Sequence, residues 1–478
     1  MDLIVLGVDG VDPRYLEKAM ERYEMPNWER LKQEAFYTEL PSTVPAVTVP
    51  AWVSMFSGYK PGKFEAYHLN DPDFDSWEMT FPDSSRFQGL FFWDCIDAEV
   101  GLHYVPGTSP VYPVNGWMRG GFPSPEDFEF YPEDLRKEFD DLEREHSHGY
   151  TTSSGKIKAE LGNYETEREI ADIIMEKAPD VFVSVIRMTD QVSHFAENES
   201  QVLECYRETE EAIGKVLDRA ESEDAALIVV SDHGFMHADR KFNVLKYLEN
   251  EGLASFEAES SPSLLYRLAE PLLDTPLKRY LKYAHDFFQS KTGMSLEPGA
   301  DALASIEKSS SVLPYHFGLG RDCALKVHTQ DMPHGHVDED GKDDILARLE
   351  EKLSELERGG ETVVEKVWRG EELYPGAENR PDIVFRTTPE FIADTAPASR
   401  IFSRTSSFTH DENGVFFALG PGIDEDAEEE LEIYDVAPLI YALLDEPIPD
   451  DLDGTLPEKL VPDKKPEYTS TEIEDISI

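Results

Sequence analysis

Positive charge is scarce in this chain. Lys and Arg number 44 against 98 Asp and Glu, a net charge of −54, and the acids run along the whole length rather than forming one tail. A polyanion of this size is repelled by phosphate backbones and anionic lipid, so neither a nucleic-acid polymer nor a membrane surface is expected as partner. A uniformly acidic surface with few lysines suits a cytoplasm of multimolar salt, where screening cuts self-repulsion to ~3 Å at 1 M. Cysteine is also sparse. Cys95, Cys205 and Cys323 are isolated, odd in number and without metal-ligand spacing, which excludes a disulfide framework and fits buried thiols in a reducing compartment. No stretch approaches the ~20 apolar residues that span a bilayer. Met1–Gly7 is too short an apolar run for a signal peptide and carries an acid at its second position. A soluble, cytoplasmic protein is the expectation. There is no internal repeat, and the glycine-rich Asn115–Gly121 lacks the spacing of a dinucleotide or P-loop fingerprint, so it reads as a substrate-side loop or a connection.

What remains is enough for a large core: 40% of residues are hydrophobic and 11% aromatic. A chain of 478 residues predicts one large domain with insertions, or two domains. Leu3–Val8, Val181–Ile186 and Ala225–Val230 are apolar runs of the length and β-branched content of buried strands. Arg14–Tyr23, Pro26–Glu34, Glu165–Lys177 and a long stretch near Ser200–Ser222 have helical spacing. Strand, helix, strand in this order is a βαβ unit, so the sheet is mostly parallel and the class is α/β. Thr38–Leu40 predicts a short strand, Ala51–Ser57 a helix stopped by Gly58, Gly414–Leu419 a late strand and Tyr434–Leu444 a closing helix. The expected division is a catalytic core at 1–242 and 311–460, a helical cap-like insertion at 243–310, and an acidic mobile tail at 461–478.

The chemistry gathers at strand ends. Val230-Ser231-Asp232-His233-Gly234 sets a carboxylate, an imidazole and a glycine just past a central strand. In open α/β sheets that edge is where ligands bind. One such pair is commonplace. Asp9 follows the first strand, however, Asp190 and His194 follow Val181–Ile186, and His410 sits in a loop near another strand. In a parallel sheet these ends share one edge. Three acids and three histidines there suggest two divalent cations held by oxygen and imidazole. Thr48 lies just ahead of a predicted helix, with Pro50 near its first turn. On spacing alone it reads as an N-cap, beside a helix end that also favours anions.

Asp9-Gly10, Thr48-Val49-Pro50, Asp190 with His194, Ser231-Asp232-His233-Gly234 and the late His410, in this order, resemble the alkaline phosphatase superfamily and within it the type I phosphodiesterase/nucleotide pyrophosphatase group. Asp435-Val436-Ala437-Pro438 and Asp453-Gly454 are similar to that group's closing helix and last loop. The resemblance implies an alkaline-phosphatase-like three-layer sandwich, with a mostly parallel central sheet between helices and a cap-like insertion. It also implies one metal at Asp9, Thr48, Asp232 and His233 and another at Asp190, His194 and His410, zinc being usual and manganese an alternative. Thr48 would then be the nucleophile of a phosphoric ester hydrolase acting on a small anionic phosphate ester, through a phosphothreonine intermediate. Two departures bear on substrate. Thr48 is followed by Val49-Pro50-Ala51-Trp52, where the group usually continues Phe-Pro-Asn-His. The phosphoryl-binding Asn expected about twenty residues later has only Asn70 near that spacing.

Within the same superfamily a phosphomonoesterase or phosphomutase is the alternative. A sulfatase is disfavoured, because no cysteine stands in Cys-x-Pro-x-Arg. A non-catalytic metal-binding scaffold should have lost the nucleophile or a ligand, and none is missing. The sequence leaves the natural substrate, the metal and the oligomeric state open.

Overall fold

The computed structural model describes residues 1–74, 76, 78–124, 128–139, 142–147, 150, 152–255, 309–315, 319–396 and 398–470. They fall into two units: Met1–Leu69 with Pro82–Phe235 and His410–Ile478, and Asn70–Phe81 with Met236–Thr409.

The first unit is built on an eight-stranded sheet. In chain order its strands are β1 (Leu3–Val8), β2 (Phe36–Pro41), β3 (Val100–Val105), β4 (Gly116–Gly120), β5 (Phe130–Tyr131), β6 (Val181–Ile186), β7 (Ala226–Val230) and β8 (Asn413–Leu419). In space they lie β2-β8-β7-β1-β6-β3-β4-β5. The inner run β7, β1, β6, β3, β4 is parallel, and β2, β8 and β5 are antiparallel to their neighbours. Every residue of β1, β3, β6 and β7 is buried, which is why these segments read as continuous apolar runs rather than alternating ones.

Period-two alternation still decides which face each side chain serves. Leu3, Val5, Val183, Val185, Ile228, Val230, Phe416 and Ala418 share one core with helix Thr48–Ser57 and the late helix Val436–Leu443. On the other face, Trp28 from helix Pro26–Glu34 meets Phe417 edge-on with ring centroids 5.9 Å apart. Helices cover both faces. Fully burying one such large apolar side chain contributes about 1.5–3 kcal/mol, so the paired cores dominate the stability of this unit.

Several elements differ from the sequence reading, each for a local reason. Asn115–Gly121 is not a loop: Gly116–Gly120 is strand β4, and the ideal Cβ of a residue at Gly116 would lie 2.0 Å from the Val100 carbonyl oxygen. The glycine there serves close strand packing. The long helix near 200–222 is two, Glu199–Glu208 and Glu210–Glu223, broken at Thr209, whose hydroxyl donates to the Tyr206 carbonyl (2.6 Å) and accepts from Trp28 Nε1 (2.9 Å). The helix before β6 begins at Ser153, twelve residues ahead of the predicted Glu165, with the Thr152 side chain capping Gly155 N.

The second unit has its own sheets. Val312–Pro314, Asp322–Val327, Ile383–Thr387 and Val364–Arg369 pair antiparallel, flanked by helix Glu339–Ser354. The sequence reading returns the chain to the core at 311, whereas it re-enters the first unit only at His410. Apolar pattern identifies a strand but not its partner. The stretch read as a cap, 243–310, has a helix at Val244–Asn250, and its residues 256–308 lie outside the described residues. Toward the C-terminus Val461 is buried and Tyr468–Thr469 pair with Ile448–Pro449, where mobility was expected from 461 on; residues 471–478 lie outside the described residues.

Candidate metal centre

Asp9 is the first residue past β1, and its backbone N–H continues the ladder to Ile186 O (2.9 Å). Asp232 and His233 follow β7 in a tight loop. Ser231 Oγ accepts from Val11 N (2.8 Å) and donates to the His233 carbonyl (2.8 Å), pinning that loop to the one after β1. Asp190 and His194 stand four residues apart on the helix Met188–Phe195 that follows β6, so they share one face. His410 lies in a strand, Phe402–Asp411, not in the expected loop. It precedes β8, which is antiparallel, so the start of β8 shares an edge with the ends of β1, β6 and β7.

Six of the residues form two groups. In one, His233 Nε2 lies 3.6 Å from Asp9 Oδ1 and 3.3 Å from Asp232 Oδ2. In the other, Asp190 Oδ1 lies 3.2 Å from both His194 Nε2 and His410 Nε2, which are 2.9 Å apart. The His233 and His410 rings stack with centroids 3.8 Å apart and bring the groups side by side. Each set could hold a metal ion, since its ligand atoms lie within 4.8 Å of one another.

Thr48 is not an N-cap. The helix starts at Thr48 itself, three residues earlier than expected, and Val47 occupies the cap position without a side-chain bond. The hydroxyl is therefore released from backbone duty and lies 3.4 Å from His233 Nε2. Asn70 falls in the second unit, directly ahead of the short strand Asp71–Asp73, while the two groups and Thr48 are built within the first.

The donor set fits cations. His233 Nδ1 lies 3.1 Å from the Gly234 carbonyl and His410 Nδ1 2.9 Å from the Ala46 carbonyl. A carbonyl only accepts, so both rings carry the proton on Nδ1 and turn an Nε2 lone pair toward the carboxylates. Asp9 Oδ1 and Asp232 Oδ2 are buried without a hydrogen-bond partner. Unpaired buried carboxylate oxygens facing imidazole lone pairs are costly unless a cation stands between them. The electrostatics of burial point the same way. Burial, then repulsion from Asp190, lifts Asp9 to about 7, and burial with repulsion from Asp9 and Asp190 lifts Asp232 well above the carboxylate range. Burial also pushes His233 well below the usual imidazole value. For Asp190 burial is outweighed by His194 and His410 where those rings are protonated, the positive charge a cation would supply in their place, and its carboxyl is held low.

Two contributors escaped the sequence reading. Trp52 donates from Nε1 to Asp9 Oδ2 (3.3 Å), and it can lie across β1 only because Gly7 has no side chain: a Cβ there would be 2.4 Å from the indole. Arg187, buried at the end of β6, donates to Asp9 Oδ2 and Asp190 Oδ2 at 3.3 Å each. An arginine directly after the buried strand β6, three residues before Asp190, was the available signal.

A mostly parallel sheet whose edge gathers two carboxylate–imidazole groups beside a helix-borne hydroxyl is the architecture of a metal-dependent hydrolase. Residues 3–404 match the model of the type I phosphodiesterase / nucleotide pyrophosphatase family, and the chain belongs to that family, a family of phosphoric ester hydrolases. Among solved structures, phosphonoacetate hydrolase from Sinorhizobium meliloti 1021 in complex with phosphonoformate is similar over 93% of this chain and 95% of that one, at 14% identity and a TM-score of 0.56. Human ectonucleotide pyrophosphatase / phosphodiesterase 5 is similar over 95% and 97%, at 11% identity and a TM-score of 0.55. The murine protein, inactive through a threonine-to-alanine change and in complex with AMP, is similar over 93% and 95%, at 11% identity and a TM-score of 0.53. Among curated proteins none matches. No helix among the described residues is long and apolar enough to cross a membrane.

Proposed function

We propose that the protein is a phosphodiesterase or nucleotide pyrophosphatase that uses Thr48 as its nucleophile and two divalent cations, zinc or manganese, as cofactors. The observation that carries this is the released Thr48 hydroxyl at 3.4 Å from His233 Nε2, beside a group with two unpaired carboxylate oxygens. Asp9, Asp232 and His233, with Thr48, would hold one cation, and Asp190, His194 and His410 the other. Bound cations supply the charge that makes a threonine hydroxyl acidic enough to react and that neutralises the phosphoryl oxygens and the departing ester oxygen.

The chain's own atoms do the rest. Thr48 Oγ1 attacks phosphorus as the ester oxygen leaves opposite, and water then hydrolyses the phosphothreonine and restores the hydroxyl. The amino end of helix Thr48–Ser57 orients partial positive charge toward the phosphoryl group. His194, with 39% of its side chain exposed against 3% for Asp190, marks the side from which substrate and water arrive. A murine relative being inactive with threonine replaced, while holding AMP, supports both the nucleophile and a phosphate ligand.

Rates on bis-p-nitrophenyl phosphate and p-nitrophenyl phosphate, with zinc or manganese added, separate this reading from the monoesterase alternative. The diester should turn over faster; a strong preference for the monoester would reverse the assignment. Asp232→Asn and His410→Ala should each lose about one equivalent of metal by elemental analysis, since each strikes a different group. Unchanged stoichiometry in both would remove the ligand assignment.

The charge of −54 supports a high-salt cytoplasm as the site of action. Screening of like charges at molar salt should raise Tm steadily between 0.1 and 2 M KCl, read by circular dichroism. A flat or falling Tm would speak for an ordinary acidic protein.

A further inference from the structure

In each carboxylate of the metal centre one oxygen is held by the protein and the other faces the imidazoles. For Asp232 the held oxygen is Oδ1, which accepts from Gly10 N at 3.2 Å. For Asp9 and Asp190 it is Oδ2, and one side chain reaches both. Arg187 donates from Nε to Asp9 Oδ2 and from an Nη to Asp190 Oδ2. The two acids belong to different groups, so a single planar guanidinium spans one ligand of each. Its own place is fixed: it is buried, and its charged carbon lies 3.8 Å from the centre of the Phe122 ring. Asp9 Oδ2 has a second holder in Trp52 Nε1, and Asp190 Oδ2 has Gln191 Nε2 at 3.5 Å. Neither of these reaches the other group.

We propose that Arg187 is a positioning residue that sets the separation and orientation of the two metal groups as one unit. Its rigid fork turns Asp9 Oδ1 toward His233 and Asp190 Oδ1 toward His194 and His410, and it holds the two carboxylates at a fixed spacing. In the metal-free protein its charge also compensates the same two acids, which lets a buried site persist before loading. Arg187 lies behind the carboxylates and acts through them. The proposal rests on the two-metal reading above.

The test is zinc binding by calorimetry, together with the dipolar coupling between two bound manganese ions in electron paramagnetic resonance. Arg187→Met should weaken binding at both sites by about 10- to 100-fold, the usual effect of losing a partner that orients a ligand, and should change or abolish the Mn–Mn coupling. Arg187→Lys keeps the charge but loses the fork, and is expected to behave like Arg187→Met. Unchanged affinity, loss at one site alone, or full rescue by lysine would each overturn the proposal. If Arg187→Met does not fold in concentrated KCl, Phe122→Leu removes the ring that seats the guanidinium. It should lower affinity at both sites in the same direction by a smaller factor; no change there overturns the proposal equally. Wild-type protein that binds no ions would instead sink the two-metal reading itself.

Discussion

Thr48→Ala is expected to lower turnover of bis-p-nitrophenyl phosphate in metal-loaded protein by about 10³-fold or more, because a missing nucleophile removes the covalent route and leaves only binding and charge stabilisation. The fold should survive. Thr48 makes no capping bond, Val47 holds the cap position, and alanine is well tolerated at a first helical position. Metal content should fall far less than activity, since Asp9, Asp232 and His233 remain. Thr48→Ser, which keeps a hydroxyl, should retain part of the rate. Turnover of Thr48→Ala within a few-fold of wild type would mean that the helix-borne hydroxyl is a bystander. A burst of phenolate followed by slow steady turnover at low pH would report the phosphothreonine directly.

The second large effect is on stability and lies away from the metal groups. Glu167, on helix Ser153–Glu176, accepts from Arg119 Nη2 at 2.7 Å and lies 3.1 Å from His103 Nε2, with Arg144 near at 3.9 Å. His103 Nδ1 lies 2.9 Å from Ser184 Oγ on β6, so the network ties the helix to the sheet. Burial alone would raise Glu167, but Arg119, His103 and Arg144 outweigh it and hold the carboxyl down to about 2. Burial lowers His103 more than Glu167 raises it.

Glu167→Gln keeps the shape and removes the charge that the buried Arg119 guanidinium faces at 2.7 Å. A cost of about 3–5 kcal/mol is expected, read as a fall in Tm of roughly 5–10 °C. The sign of the pH dependence follows from the directions. Glu167 titrates lower in the folded protein than in the unfolded chain, so its stabilisation is complete above the ordinary carboxyl value. It is lost as pH falls from about 4.5 toward about 2. His103, also lowered on folding, takes its proton first in the unfolded chain, so stability begins to fall once pH drops below about 6.5. Urea denaturation between pH 5 and 3 should therefore show wild-type stability falling toward acid more steeply than that of Glu167→Gln, a comparison in which the groups common to both proteins cancel. Equal acid slopes in the two proteins would remove Glu167 as a source of the effect.

The sequence and the structure agree most closely where local pattern and burial coincide. Leu3–Val8 and Val181–Ile186 are strands with the predicted limits, and Pro26–Glu34 is a helix with the predicted limits, because an apolar run or an amphipathic stripe opened by proline leaves few alternatives. The agreement is poorest where a residue type has two uses. A threonine ahead of a helix can cap it or stand inside it, and only the start of the helix at Thr48 decides. Glycines between strands can make a turn or admit a neighbour, and the Val100 carbonyl against Gly116 decides for the strand.

By itself the sequence determined the fold class, the charge and the acids and histidines that follow the strands, since parallel strands must deliver their ends to a common edge. The family resemblance already implied how those residues divide into two groups; tertiary structure alone decided which oxygen of each carboxylate is held back by the protein. It also decided that one arginine spans both groups. These depend on angles and on distances of about 3 Å between segments far apart in the chain, such as Gly10 and Asp232, separated by 222 positions, and no spacing along the chain encodes them.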